Sequence, residues 1–138
     1  VGDATGTAIV LSQPVSFSSG DWSGRISDIR SPQRGALIRS RILVMPVGRG
    51  SSSAALTLAE AIRLGAGPRA IILPGIDQIL AIGAIVARRL YGIVCPVLVV
   101  DQADYEAIAT GDRVTIQRDG SFSVVPRRPR ARRTATLK

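Results

Sequence analysis

Apolar positions along the chain fall into two kinds of block. Residues 4–11 (ATGTAIVL), 41–46 (RILVMP) and 69–73 (RAIIL) are short, nearly unbroken runs, and the second holds Ile42, Leu43, Val44 and Met45 in succession. Runs of this length suit strands covered on both faces. Residues 51–64 (SSSAALTLAEAIRL) instead set Ala55, Leu58, Ala59 and Ile62 on one stripe, with Thr57, Glu60 and Arg63 elsewhere. That spacing predicts an amphipathic helix opened by serine and stopped by residues 65–68 (GAGP). A second helix is predicted from Asp77 as N-cap, with Ile79, Ile82, Val86 and Leu90 at helical spacing, Arg88 and Arg89 near its end and Gly92 as its cap. Residues 94–100 (VCPVLVV) read as another strand, with Pro96 at its start or on a sheet edge.

The remaining segments are shorter. Residues 104–110 predict a brief helix closed by Gly111, and residues 113–117 and 121–125 flank Asp119-Gly120, a dipeptide suited to a hairpin turn. Residues 25–29 alternate, with Ile26 and Ile29 inward, residues 36–38 are a weaker strand candidate, and residues 18–24 (SSGDWSG) form a loop carrying the sole tryptophan, Trp22. Strands first, strand and helix alternating next, and a hairpin last predict an α/β fold. Its central β layer carries the helices, and a smaller β layer is built from the chain ends.

At 138 residues and 46% hydrophobic content the chain suits one domain, expected over residues 1–125. No apolar run approaches the roughly 20 residues that span a bilayer, and no basic-then-apolar leader is present, so a cytoplasmic location is expected. Cys95 is the single cysteine, excluding an internal disulfide; within its apolar run it reads as a buried small hydrophobe. A net charge of +8 raises nucleic-acid binding, but its distribution argues otherwise. The last 13 residues hold six of the 18 basic residues and none of the 10 acids, leaving 12 basic against 10 acidic residues elsewhere. Residues 126–138 are therefore expected to be a disordered basic tail, and they contain no aromatic residue for base stacking.

The chain has no histidine. That excludes Ser/His/Asp catalysis and histidine metal sites, and one cysteine cannot hold an iron-sulfur cluster. No metal is expected on this chain.

Candidate chemistry centres on Gly48-Arg49-Gly50-Ser51-Ser52-Ser53, between a predicted strand and a predicted helix. The loop lacks the spacing of a Walker A motif or a dinucleotide fingerprint. Two readings remain. Glycines and serines can simply make a tight turn and cap the helix. Alternatively, unpaired N–H groups at the helix start favour an anion, so that Ser51 could act in proton transfer. Arg49 is either a donor to a carboxylate or phosphate or a solvated loop residue. The early loop with Ser16, Phe17, Gly20 and Asp21 carries no decisive pattern of its own. Without a catalytic role, the chain reads as an anion- or nucleotide-binding module.

Five stretches in order add a resemblance: SFSSGDWSG at residues 16–24, RILVMPVGRGSSSAA at 41–55, GAGPRAIIL at 65–73, GAIVARRLYGI at 83–93 and ATGDRVTI at 109–116. Together they resemble the small subunit, or swivelling domain, of the aconitase X proteins. The resemblance implies a swivelling β/β/α fold that closes over a larger, iron-sulfur-bearing subunit or fused large domain in a dehydratase. It implies Ser51 as catalytic base, since Ser51 takes the first serine of the Gly-x-Gly-Ser-Ser loop shared with aconitases. Arg49, Gly50 and Ser52, and Ser16 and Gly20 of the early loop, would then stand near a small carboxylate substrate. Two departures matter. Aconitases follow the two serines with a carboxylate-binding arginine where this chain has Ser53, and the early loop has Ser18-Ser19 where the family often has an apolar or aromatic residue and a glycine. Family members dehydrate cis-3-hydroxy-L-proline to a pyrroline carboxylate or act on mevalonate 5-phosphate. Arginine outnumbers lysine 17 to one in this chain, a bias of GC-rich bacterial genomes, which directs the expectation to the hydroxyproline.

Overall fold

The computed structural model describes residues 3–12, 24–26, 33, 35–46 and 53–127. Among these residues six strands form one sheet in the order β4-β3-β2-β1-β5-β6. Its elements are β1 (Ala4–Val10), β2 (Ile42–Val44), α1 (Ser53–Arg63), β3 (Ala70–Leu73), α2 (Gln78–Tyr91), β4 (Val97–Val99), α3 (Gln102–Ala107), β5 (Arg113–Ile116) and β6 (Phe122–Val125). Strands β1 to β4 are parallel, β5 runs antiparallel beside β1, and β6 runs antiparallel beside β5. β1 serves both halves, pairing with β5 along Ala4 to Thr7 and with β2 along Ala8 to Val10. The smaller β layer predicted from the chain ends is this β1-β5-β6 portion.

The parallel strands advance in one direction, so crossovers of the same hand put both connecting helices on one face. Leu58, Ala59 and Ile62 of α1 and Leu80 and Ala87 of α2 pack there on Leu43, Met45, Ile71 and Leu73. On the opposite face Ile42, Val44, Ala70 and Ile72 meet Ala4, Ala8, Ile108, Val114 and Ile116. Ile42, Leu43, Val44 and Met45 are all fully buried, which is why four apolar residues in succession are needed. Each such side chain contributes about 1.5–3 kcal/mol over remaining exposed.

Several details depart from the sequence expectation. Ile82 and Leu90 are 50% and 68% exposed, while Leu80, Gly83 and Ala87 form the inner face of α2. The stripe is rotated because Gly83 meets α1 backbone to backbone: a methyl group there would stand 2.7 Å from the Ala55 carbonyl oxygen. The brief helix begins at Gln102 rather than Asp104, because the Asp101 carboxylate accepts the Asp104 N–H at 2.8 Å and caps it. The stretch at residues 36–38 supplies one bridge, Arg25 to Leu37, and buries Ile26 and Ile38. Asp77 caps α2 as predicted, accepting Leu80 N–H at 3.0 Å, and Gly92 closes it at φ 70°. The hairpin turns at Gly120, whose φ of 93° suits a residue without Cβ. Trp22 and Ile29 lie outside the described residues, as do residues 128–138 of the expected tail.

Candidate functional site

The carboxyl ends of the parallel strands lie along one edge of the sheet, where open α/β sheets bind ligands. The ends of β1 and β2 are adjacent: Leu11 N–H donates to Val44 O at 2.8 Å, and Met45 N–H to Ile72 O at 3.3 Å. The chain leaves the described structure at Ser12, just past β1, and again at Pro46, just past β2. The candidate residues Ser16, Gly20, Arg49, Gly50, Ser51 and Ser52 lie outside the described residues. Their attachment points do not. Both candidate segments depart from neighbouring parallel strands at the same edge, and the second re-enters at Ser53 as the first residue of α1.

The axis of α1 is held by Ala55, Leu58, Ala59, Ala61 and Ile62, all buried, and by the Gly83 contact at Ala55. Its 11 residues align enough peptide dipoles to favour negative charge at the N-terminus. The β1 side is tied down by polar groups that the sequence does not single out. Gln33 accepts Ser12 N–H through Oε1 at 2.8 Å and donates from Nε2 to Val10 O at 3.0 Å. Thr110 Oγ1 accepts Val10 N–H at 2.9 Å. Gln33 stands among loop residues without periodicity, so only the tertiary contact reveals it.

Asp112 is a second residue missed. It is 3% exposed, and its carboxylate accepts Ala109 N–H at 2.9 Å and Arg127 N–H at 3.3 Å, while its backbone carbonyl accepts Ala8 N–H at 2.8 Å. One buried acid thus ties β1, the turn before β5 and the chain after β6. Arg127, counted with the tail in the sequence, is anchored to the body through it. A Gly-Asp pair just before an alternating strand was the available signal.

Cys95 is buried, its thiol donating to Pro68 O at 3.5 Å, and burial pushes the thiol up to about 12. It is poorly suited to ligate metal, since the ligand is the thiolate. Among the described residues no group of three or more His, Cys, Asp or Glu side chains could hold a metal ion. An iron-sulfur cluster does not fit them. Among the same residues no helix is long and apolar enough to cross a membrane.

Residues 1–124 match the family model described as the aconitase X swivel domain. The cis-3-hydroxy-L-proline dehydratase of Hypocrea jecorina is 32% identical over 126 residues, covering 90% of this chain but 21% of that protein. The phosphomevalonate dehydratase small subunit of Thermococcus sibiricus is 32% identical over 120 residues, covering 86% of each. The crystal structure of Thermococcus kodakaraensis aconitase X (holo-form) superposes with a TM-score of 0.75 at 33% identity, covering 90% of this chain and 91% of that one. This chain therefore belongs to the aconitase X swivel-domain family, whose relatives are named as dehydratases or their small subunits.

Proposed function

We propose that the chain is the small subunit of a hydro-lyase, with Ser51 as the base that removes a proton from the carbon next to a substrate carboxylate. The observation that supports this reading most is the shared departure of the Ser16 and Ser51 segments from the hydrogen-bonded ends of β1 and β2, with α1 starting directly after the second. A helix N-terminus favours the alkoxide form of a serine beside it; the hydroxyl on the next substrate carbon leaves as hydroxide, and the proton the serine removed, passed to it, makes it water and restores the base. Arg49, Gly50 and Ser52, with Ser16 and Gly20, would hold the carboxylate. Closure over a larger partner would exclude water from the site. An iron-sulfur cluster, if the reaction uses one, would be held by that partner.

The substrate we favour is cis-3-hydroxy-L-proline, on the arginine-rich composition of the chain. Mevalonate 5-phosphate is the second reading, favoured by the length match to the small subunit of the Thermococcus sibiricus enzyme. Co-expression with the large subunit, followed by dehydration assays on both compounds, tests the proposal. Turnover of one compound, falling about 10²–10⁴-fold in Ser51→Ala with the complex intact, is the expected result. Activity that survives Ser51→Ala would exclude serine as the base, and failure to form a complex would leave the anion-binding module.

A further inference from the structure

The β1-β5 junction carries a groove, next to the end of β1 that Thr110 ties down. Its volume is about 310 Å³, and Thr7, Ala8, Ile9, Leu37, Arg41, Thr110, Gly111 and Arg127 line it. That is near the lower end of the roughly 300–1,000 Å³ typical of small-molecule sites. Among the described residues lining it, Arg41 and Arg127 are the charged ones. Ion pairs among the described residues join Arg63 to Glu60 and Arg118 to Asp3, and neither includes Arg41 or Arg127. Arg113 sits opposite Thr7 in the β1-β5 register, so it adds a third cation to the same face. The acid next in sequence, Asp112, is turned inward onto backbone N–H groups.

We propose that Arg41 and Arg127, with the hydroxyls of Thr7 and Thr110, form a binding site for a phosphate group. A planar guanidinium donates a fork of N–H groups, and a carboxylate offers only two oxygens in one plane. A tetrahedral phosphate presents oxygens in several directions, and so can meet two guanidiniums and two hydroxyls together. Thr110 Oγ1 already accepts Val10 N–H, which leaves its own O–H free to donate. Ile9 and Leu37 supply an apolar wall for the organic part of a phosphate monoester.

Titration of the full chain with inorganic phosphate, and separately with glycerol 3-phosphate, followed by ¹H–¹⁵N NMR, tests this. Shifts are expected at the amides of Thr7, Ile9, Thr110 and Gly111. Arg41→Gln and Arg127→Gln should each weaken binding by about tenfold or more, the loss of one charge-assisted contact. Tighter binding of the monoester would assign the site to a phosphorylated metabolite, and equal binding to free phosphate. Binding should survive Ser51→Ala and removal of residues 128–138, and should weaken as salt rises. The proposal is overturned if the groove amides do not shift or if shifts are confined to the first turn of α1. It is equally overturned if Arg41→Gln/Arg127→Gln, shown folded by its spectrum, binds as the parent does, or if binding disappears with the tail.

Discussion

Gly83→Ala tests the packing that aims α1 at the candidate loop. In a helix held apart from its neighbours this substitution stabilises, because alanine exceeds glycine in helix propensity by about 0.8–1.0 kcal/mol. Here the added methyl group would stand 2.7 Å from the Ala55 carbonyl oxygen and 3.1 and 3.2 Å from Leu58 side-chain carbons. A backbone oxygen in the first turns of α1 cannot rotate aside as a side chain can. Overpacking of this kind costs about 1–3 kcal/mol. The upper part of that range exceeds the propensity gain, so a net loss of roughly 1–2 kcal/mol is expected. Urea unfolding of Gly83→Ala beside the parent chain reads the sign directly, with Ala84→Gly on the same helix measuring local propensity. If Gly83→Ala raises stability by the propensity difference, the two helices do not approach as described, and the argument that this contact fixes the start of α1 fails. Because α1 starts two residues after Ser51, the same variant in the assembled enzyme should lower kcat more than it lowers complex formation.

Other expectations follow from single contacts. Burial raises the Cys95 thiol from 9.0 to about 12, so the unfolded chain ionises first. The stabilising contribution is complete below pH 9 and is lost as pH rises toward 12, with a slope of at most about 1.4 kcal/mol per pH unit. Tyr105, also raised by burial, adds in the same direction, so the difference between parent and Cys95→Ala isolates the thiol. The same burial predicts that a thiol reagent at pH 8 labels Cys95 only in denaturant. Asp112→Asn would turn an amide donor toward one of the N–H groups the carboxylate now accepts, lowering stability by about 1–3 kcal/mol and speeding hydrogen exchange at Ala109 and Arg127. Asp77→Ala removes the α2 N-cap and should lower the unfolding free energy by about 1 kcal/mol, measured in urea.

Local chemistry made much of the fold legible. Unbroken apolar runs marked β2 and β3 because both faces of these strands are buried, and Asp77, Gly92 and Gly120 announced a cap, a helix end and a turn through backbone needs met within a few residues. The orientation of α2 was not legible. Ile82 and Leu90 occupy the same helical period as the buried residues, and choosing between rotations requires knowing that Gly83 lies against Ala55. The serine loop was legible as a candidate from its glycines and its place before a helix, while the adjacency of the strand ends from which it and the early loop depart depended on the pairing of β1 with β2.

By itself, then, the sequence determined the element types, the double burial of the central strands, the absence of histidine chemistry and the serine that heads the candidate list. All of these are properties of residue type and short-range spacing. Tertiary structure alone decided that segments more than 30 residues apart leave from one sheet edge, that Gln33 and Asp112 hold that framework, and that Arg41 and Arg127 line one groove. The reason is that strand order and helix rotation are selected by packing between distant parts of the chain, and no local pattern encodes which strand lies beside which.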